Sequence, residues 1–164
     1  MTKAVFPAKL LLRNLYRVLR SRTSWQDELV LDEPAREDLR WWYSSISAWN
    51  GRSYSPNNSK GTVIQIATDA SGSGYGGVVL GNKTQQTLGF WTWDIAQKWS
   101  NYREIMAVYM TLITFKDIVK NQIVQILSDN VATVSYIVCM GGPSQQLTEV
   151  ANQIWTFAIK KMYH

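Results

Sequence analysis

The chain has 164 residues, 46% of them apolar, with eight tryptophans and eight tyrosines, and its formal charge is +5. This size and composition predict a globular protein with a sizeable core rather than a disordered chain. The single cysteine, Cys139, excludes a disulfide framework and favours an intracellular, reducing compartment. No apolar run approaches the roughly 18 residues of a membrane span and residues 1 to 20 lack a signal-peptide core, so we expect neither a membrane protein nor a secreted one.

The first predicted helix covers residues 7 to 22 and concentrates positive charge on one face. An apolar stripe at helical spacing forms the other face. The basic face either follows the phosphates of a nucleic acid or is a solvated helix face, which is the commoner case. The residues of this basic row are Lys9, Arg13, Arg17 and Arg20.

A second helix is predicted from Asp32, a suitable N-cap, to Trp49. Residues 50 to 61 are rich in Asn, Ser, Gly and Pro, which is typical of a linker. We therefore predict two domains, a helical segment with its linker at 1–60 and a second domain at 61–164.

The second domain alternates strand and helix patterns. Three strands separated by short turns predict an antiparallel meander, and a fourth strand follows a helical crossover, so it is expected to lie parallel beside the first. The predicted class is α/β, with a mixed sheet packed with helices. The predicted strands are 62–69, 76–80, 87–92 and 122–128, and the predicted helices are 101–118, 130–140 and 145–162.

Three carboxylates occupy strand ends and a helix start in this arrangement. Asp69 closes the first strand, Asp129 closes the fourth strand, and Glu104 lies near the start of the helix between them. Because the carboxyl ends of parallel strands meet at one edge of a sheet, the three side chains are expected to converge there.

Convergent carboxylates are suited to Mg²⁺, which prefers oxygen ligands and retains several waters. Two such ions about 4 Å apart can activate a water and stabilise the leaving oxygen when a phosphodiester is cleaved, and Mn²⁺ can substitute. No protein nucleophile is then required. We expect a catalytic and metal-binding site formed by Asp69, Glu104 and Asp129.

Each carboxylate also has an ordinary structural explanation. Asp69 can be a turn residue, Glu104 can be the capping-box partner of Asn101, and Asp129 can cap the helix that follows it. The joint occurrence of all three at strand ends and a helix start favours the metal site.

The motifs around these residues resemble the ribonuclease H domain of retroelement reverse transcriptases, and most closely that of tyrosine-recombinase retrotransposons of the DIRS and Ngaro type. Residues preceding the linker resemble the connection between polymerase and ribonuclease H in those elements. The matching segments are Thr68-Asp69-Ala70-Ser71 with Gly74, Gly76 and Gly77; Asn101-Tyr102-Arg103-Glu104; Ser128-Asp129-Asn130; Gly141-Gly142 with Trp155; and, upstream, Phe6-Pro7-Ala8-Lys9, Asp38-Leu39-Arg40-Trp41-Trp42 and Trp49-Asn50-Gly51-Arg52.

The resemblance implies a ribonuclease H-like fold and Mg²⁺-dependent hydrolysis of the RNA strand of an RNA–DNA hybrid. It also implies a polymerase domain of the same polyprotein as a partner. It implies nucleic-acid contacts for Ser71, Asn101 and Asn130. Arg103, beside Glu104, is a further candidate for a nucleic-acid contact, to a phosphate. For Arg103 the alternative is that it balances a neighbouring carboxylate.

The chain departs from the family at its C-terminal end. The family's fifth strand, last helix and fourth metal-binding aspartate would follow Met162, and no aspartate follows Asp129. We therefore expect a segment of a longer polyprotein, or a remnant or domesticated product of one. An inert nucleic-acid-binding or connecting module is the alternative function. A transposase or integrase core is a third, which Asn101 and the glycine-rich hairpin disfavour.

Three tryptophans flank the predicted site. Trp91 and Trp93 are predicted to alternate on one strand and to share a face, which favours packing over stacking on nucleotides. Trp99 has the same two alternatives.

Overall fold

The structure is a computed structural model that describes residues 8–49, 62–81 and 84–162. The chain divides into two compact units, Met1–Pro56 and Asn57–His164. The domain boundary that the sequence predicts lies in the segment 50–61, which is outside the described residues.

Three helices form the described part of the first unit: α1 (Ala8–Leu11), α2 (Arg13–Arg20) and α3 (Glu33–Trp49). The prediction of one continuous helix was wrong, because Leu12 separates α1 from α2. The indole N–H of Trp42 donates to the carbonyl oxygen of Leu11 at 2.8 Å. This long-range bond occupies a carbonyl at the junction, and such insertions into the backbone ladder interrupt helices.

Asp32 caps α3, as the sequence predicts. Its Oδ1 atom accepts the backbone N–H of Ala35 at 3.2 Å. Further along α3, the carboxylate of Asp38 is buried and accepts the backbone N–H and the side-chain amide of Asn14, at 3.1 and 3.2 Å. Burial nevertheless raises the pKa of Asp38. These bonds join α2 to α3.

The second unit contains a mixed four-stranded sheet with strands β1 (Val63–Ala70), β2 (Gly74–Leu80), β3 (Gln85–Phe90) and β4 (Ile123–Leu127). The strand order is β3-β2-β1-β4. Strands β1, β2 and β3 pair antiparallel, and β4 pairs parallel to β1. The α/β architecture predicted from the sequence is confirmed, and it is consistent with a ribonuclease H-like fold. Within the described residues there is no fifth strand, so β4 is an edge of the sheet.

Four helices accompany this sheet: α4 (Trp93–Ala96), α5 (Ser100–Thr114), α6 (Val131–Val138) and α7 (Gln145–Met162). The sequence did not predict α4. It begins because Thr92 is extended and its carbonyl oxygen accepts the N–H groups of Ile95 and Ala96. The placement of Trp91 and Trp93 on one strand face was therefore wrong, since β3 ends before them and Trp93 is 76% exposed.

Alternation along the strands places one face of the sheet against α5. Ile66 of β1 and Val79 of β2 are buried on this face, where they join a core that includes α5 and α7. Apolar burial of this kind is the main favourable term in folding. The α5 and α7 side chains of this core include Ile105, Val108, Leu112, Leu147, Val150 and Ile154. No helix among the described residues is long and apolar enough to cross a membrane.

The helix α5 lies close against the sheet over Gly77 of β2. A Cβ atom at this position would lie 2.2 Å from Oγ1 and 2.4 Å from Cγ2 of Thr111, whose side chain is fully buried. Thr111 belongs to the same helix as Glu104, so this contact controls the distance between that carboxylate and the sheet.

We expect Gly77→Ala to lower the free energy of unfolding by about 1–3 kcal/mol, because the added methyl group overpacks the α5 interface. Urea denaturation monitored by tryptophan fluorescence measures the change. Gly72→Ala is the matched control, since no atom lies within 4 Å of a Cβ atom at that position. An equal midpoint for both variants would contradict the close contact between Gly77 and Thr111.

Candidate metal centre

Parallel pairing of β1 and β4 brings two of the carboxylates to one edge of the sheet. The register of the pair ends with Ala67 opposite Leu127. Asp69 and Asp129 each follow two residues later, so both emerge beyond the last parallel pair. Both side chains are exposed.

Glu104 approaches the same edge from α5. Its side chain is buried, with only 6% of the residue exposed, because α5 lies against the sheet. One carboxylate oxygen from each of Asp69, Glu104 and Asp129 lies within 4.8 Å of the other two. The structure thus brings together the three side chains that the sequence predicts to converge.

The β1–β2 turn does not depend on Asp69. Ser71 forms it, because its backbone N–H donates to the carbonyl oxygen of Gly74 at 2.8 Å and its hydroxyl oxygen accepts the N–H groups of Ser73 and Gly74. Asp69 instead lies within β1, where its Oδ1 atom accepts the neighbouring N–H of Ala70. The explanation of Asp69 as a turn residue therefore fails.

Helix capping does not account for the other two carboxylates. The N-cap of α5 is Trp99, which makes no side-chain capping bond, so Glu104 is not part of a capping box there. The N-cap of α6 is Asn130, whose Oδ1 atom accepts the N–H of Thr133 at 2.8 Å. Asp129 is one residue too early for this role.

The electrostatics of the cluster are unfavourable unless a cation binds. The Oε2 atom of Glu104 is buried and has no hydrogen-bond partner in the described part of the chain. Burial raises the pKa of Glu104, and the negative charges of Asp69 and Asp129 raise it further, while the N–H of Ala70 and the charge of Arg103 act in the opposite direction. Among the described residues, no lysine or arginine forms an ion pair with any of the three carboxylates.

The residues fit a hard divalent cation. A buried acceptor without a donor normally costs stability, and three crowded carboxylates repel one another. An ion such as Mg²⁺ removes both costs and takes only oxygen ligands. The oxygens of Glu104, Asp69 and Asp129 supply such a set.

Arg103 braces the connection between α4 and α5. Its Nη1 atom donates to the carbonyl oxygen of Ala96 at 3.2 Å and to that of Lys98. The side chain is only partly exposed. Its charge lowers the pKa of Glu104, which matches the alternative in which Arg103 balances a carboxylate.

Asn101 and Asn130 contact each other. The Nδ2 atom of Asn130 donates to Oδ1 of Asn101 at 2.9 Å. No sequence pattern indicates this bond, because 29 residues separate the two side chains and the contact exists only when α5 and α6 pack together.

Trp91 supports the turn beside Asp69. Its indole N–H donates to the carbonyl oxygen of Ser71 at 3.0 Å, and its ring lies 5.0 Å from that of Tyr75. Trp99 packs against Tyr102 with ring centroids 5.7 Å apart and stays 44% exposed. Trp91 is thus a packing residue.

The basic row of the first unit is not uniformly exposed. Arg17 forms an ion pair with Asp32. Arg13 is partly buried, which lowers its pKa. Lys9 and Arg20 are exposed. The solvated-face explanation fits this placement better than a continuous phosphate track.

No protein-family model and no curated protein matches this chain. Among solved structures, the native protease–reverse transcriptase of prototype foamy virus is similar to it at a TM-score of 0.46 and 13% identity, over 92% of this chain and 20% of that one. A foamy viral protease–reverse transcriptase dRH in complex with double-stranded DNA is similar at 0.44 and 11% identity, over 92% and 26%. The chain therefore spans about a quarter or less of their length, and we base no functional conclusion on either.

We expect Glu104→Gln to stabilise the metal-free protein at neutral pH. The raised pKa of Glu104 means that its contribution to stability is fully present below its ordinary value of 4.5 and is lost as the pH rises through the raised value. At about pH 8 the variant should unfold about 2–4 °C higher than the parent, which corresponds to ~1 kcal/mol, and the difference should shrink near pH 4.5. Thermal unfolding in a chelating buffer measures it.

Asp117→Asn, at an exposed position outside the cluster, is the control and should leave the unfolding temperature nearly unchanged. Added Mg²⁺ or Mn²⁺ should raise the unfolding temperature of the parent and of this control but not that of Glu104→Gln. A difference between Glu104→Gln and the parent that does not vary with pH would contradict the raised pKa of Glu104, which burial and the two neighbouring carboxylates produce.

Proposed function

We propose that the second unit is a metal-dependent endonuclease that hydrolyses the RNA strand of an RNA–DNA hybrid. In this proposal Asp69, Glu104 and Asp129 hold two Mg²⁺ ions, with Mn²⁺ as a substitute. The observation that carries the proposal is the convergence of these carboxylates, with one oxygen of each within 4.8 Å of the other two. The buried Oε2 atom of Glu104, which has no hydrogen-bond partner among the described residues, supports it. We infer the substrate from the resemblance of the surrounding motifs to the ribonuclease H domain of a DIRS- or Ngaro-type retroelement. The same resemblance suggests a polymerase domain of the same polyprotein as the partner.

The three carboxylates have different tasks in this reaction. Glu104 is buried and held by the packing of α5, so it is a rigid ligand whose position does not depend on solvent. Asp69 and Asp129 are exposed, so they can face both the ions and the scissile phosphate. Bound divalent ions activate a water and stabilise the leaving oxygen. The protein then needs no nucleophile of its own.

The residues that the resemblance assigns to nucleic acid differ in what they offer. The amide nitrogen of Asn101 has no partner among the described residues, and the Ser71 hydroxyl lies on the exposed β1–β2 turn. Arg103 and Asn130 use their side chains within the protein. We propose direct contacts for Asn101 and Ser71, and supporting roles for Arg103 and Asn130.

An inert hybrid-binding or connecting module is the second candidate. It is favoured by the number of carboxylates, since the cluster among the described residues has three members while the resemblance implies four. Such a module would bind metal and hybrid without turnover.

We expect the 164-residue chain to cut a labelled RNA–DNA hybrid in the RNA strand when Mg²⁺ or Mn²⁺ is present. Asp69→Asn should reduce the rate by at least about 100-fold, because a lost ligand removes several kcal/mol of transition-state stabilisation. Denaturing gel electrophoresis of the products measures both. Asp117→Asn, the same chemical change at an exposed position outside the cluster, should cut like the parent.

If the parent chain still cuts the hybrid in the presence of a chelator, or if the Asp69→Asn variant cuts it as fast as the parent, the reaction does not take place at this site. A folded chain that binds the hybrid in a metal-dependent way but leaves it intact would instead support the inert module. Cleavage of single-stranded or double-stranded RNA at the same rate as the RNA–DNA hybrid would refute the proposal that the hybrid is the preferred substrate.

A further inference from the structure

The side chain of Asn130 makes two hydrogen bonds at the start of α6, one as acceptor and one as donor. Its Oδ1 atom accepts the backbone N–H of Thr133 at 2.8 Å, and its Nδ2 atom donates to Oδ1 of Asn101 at 2.9 Å. The first bond caps the helix, and the second crosses to α5. Asn130 is therefore a link between the helix starts that follow Asp129 and precede Glu104.

The cap decides the orientation of both amides. A carboxamide has an oxygen side and a nitrogen side of nearly equal size, so it can adopt two orientations unless its partners distinguish them. A backbone N–H can only donate, so the oxygen of Asn130 must face Thr133 and its nitrogen must face Asn101. Asn101 must then accept through oxygen, which leaves its own Nδ2 atom on the opposite side.

The remaining donor lies beside the metal centre. Asn101 is three residues before Glu104 on α5, and residues at this spacing share a helix face. Asn101 is partly exposed, and its Nδ2 atom has no partner among the described residues. An amide donor at this place suits an oxygen acceptor of a nucleic acid, such as a phosphate, a ribose hydroxyl or a pyrimidine carbonyl.

We propose that Asn130 is a positioning residue, which orients the amide of Asn101 so that Asn101 presents an N–H donor to the nucleic-acid strand at the metal centre. This rests on the proposed function, since it names how that site recognises its substrate. Asn130 itself does not touch the substrate. The backbone N–H of Thr133 sets the orientation of the Asn130 amide, and the Asn130 amide in turn sets the orientation of the Asn101 amide.

The helix-capping role of Asn130 can be separated by mutation from its positioning role. Serine is also a good N-cap, and its hydroxyl can accept the Thr133 N–H, but it is too short to reach Asn101 and offers no amide. Asn130→Ser therefore preserves the cap and removes the orienting bond. Asn101→Ala removes the presented donor. The two changes together form a double-mutant cycle.

Hybrid affinity is measured by fluorescence anisotropy with all variants carrying Asp69→Asn, so that the labelled hybrid is not consumed. We expect Asn101→Ala to weaken binding about 3- to 10-fold, as for the loss of one hydrogen bond, and Asn130→Ser to weaken it by a similar factor. The double variant should bind no more weakly than Asn101→Ala. The unfolding temperature of Asn130→Ser should stay close to that of its parent. Asn130→Thr takes its place if the serine variant does not fold.

Side-chain amide NMR supplies a reading that needs no nucleic acid. The Asn101 amide should be ordered in the parent and mobile in Asn130→Ser. Undiminished affinity in Asn130→Ser, or losses that add in the double variant, would overturn the positioning role while leaving the proposed nuclease intact. If the folded chain with its native Asp69 binds no hybrid, both proposals are overturned. If that chain binds the hybrid but does not cleave it, only the nuclease is overturned.

Discussion

The parallel pairing of β1 with β4 is the interaction on which the rest of the site depends. Its register, from Val63 opposite Ile123 to Ala67 opposite Leu127, brings the two strands to the same edge of the sheet. Asp69 and Asp129 are 60 residues apart in the chain and become neighbours for this reason alone. A register shifted by one residue would turn one strand's side chains to the opposite face and separate the pair.

The third carboxylate depends on how closely a helix can approach this sheet. Gly77 allows Thr111 of α5 to lie directly on β2, and the apolar core around Ile66 and Ile105 holds the helix there. Glu104 is buried as a result, and its pKa is raised. Packing energy from the core thus stabilises an arrangement that electrostatics alone disfavours, a combination that is typical of functional sites.

Residues next to the carboxylates form the local turn and the helix cap. Ser71 forms the turn after Asp69, and Asn130 caps the helix after Asp129. The carboxylates therefore take no part in the turn or the helix cap, which the adjacent polar residues form. The same division explains why Arg103, beside Glu104, is bound to backbone carbonyls and does not extend into solvent.

The strand and helix pattern of the second unit could be predicted from the sequence, and so could the three carboxylates as candidate site residues, because alternation, helical spacing and strand-end position are local properties. Tertiary structure decided the rest. The break at Leu12 adjoins the carbonyl of Leu11, which accepts a bond from the indole of Trp42, 31 residues further along the chain. The Asn130–Asn101 bond joins two helices that are distant in the chain. Trp93 was misplaced because nothing in its own spacing separates the end of a strand from the start of a short helix. Long-range hydrogen bonds and helix–sheet distances have no local signature, so they become visible only once the chain is folded.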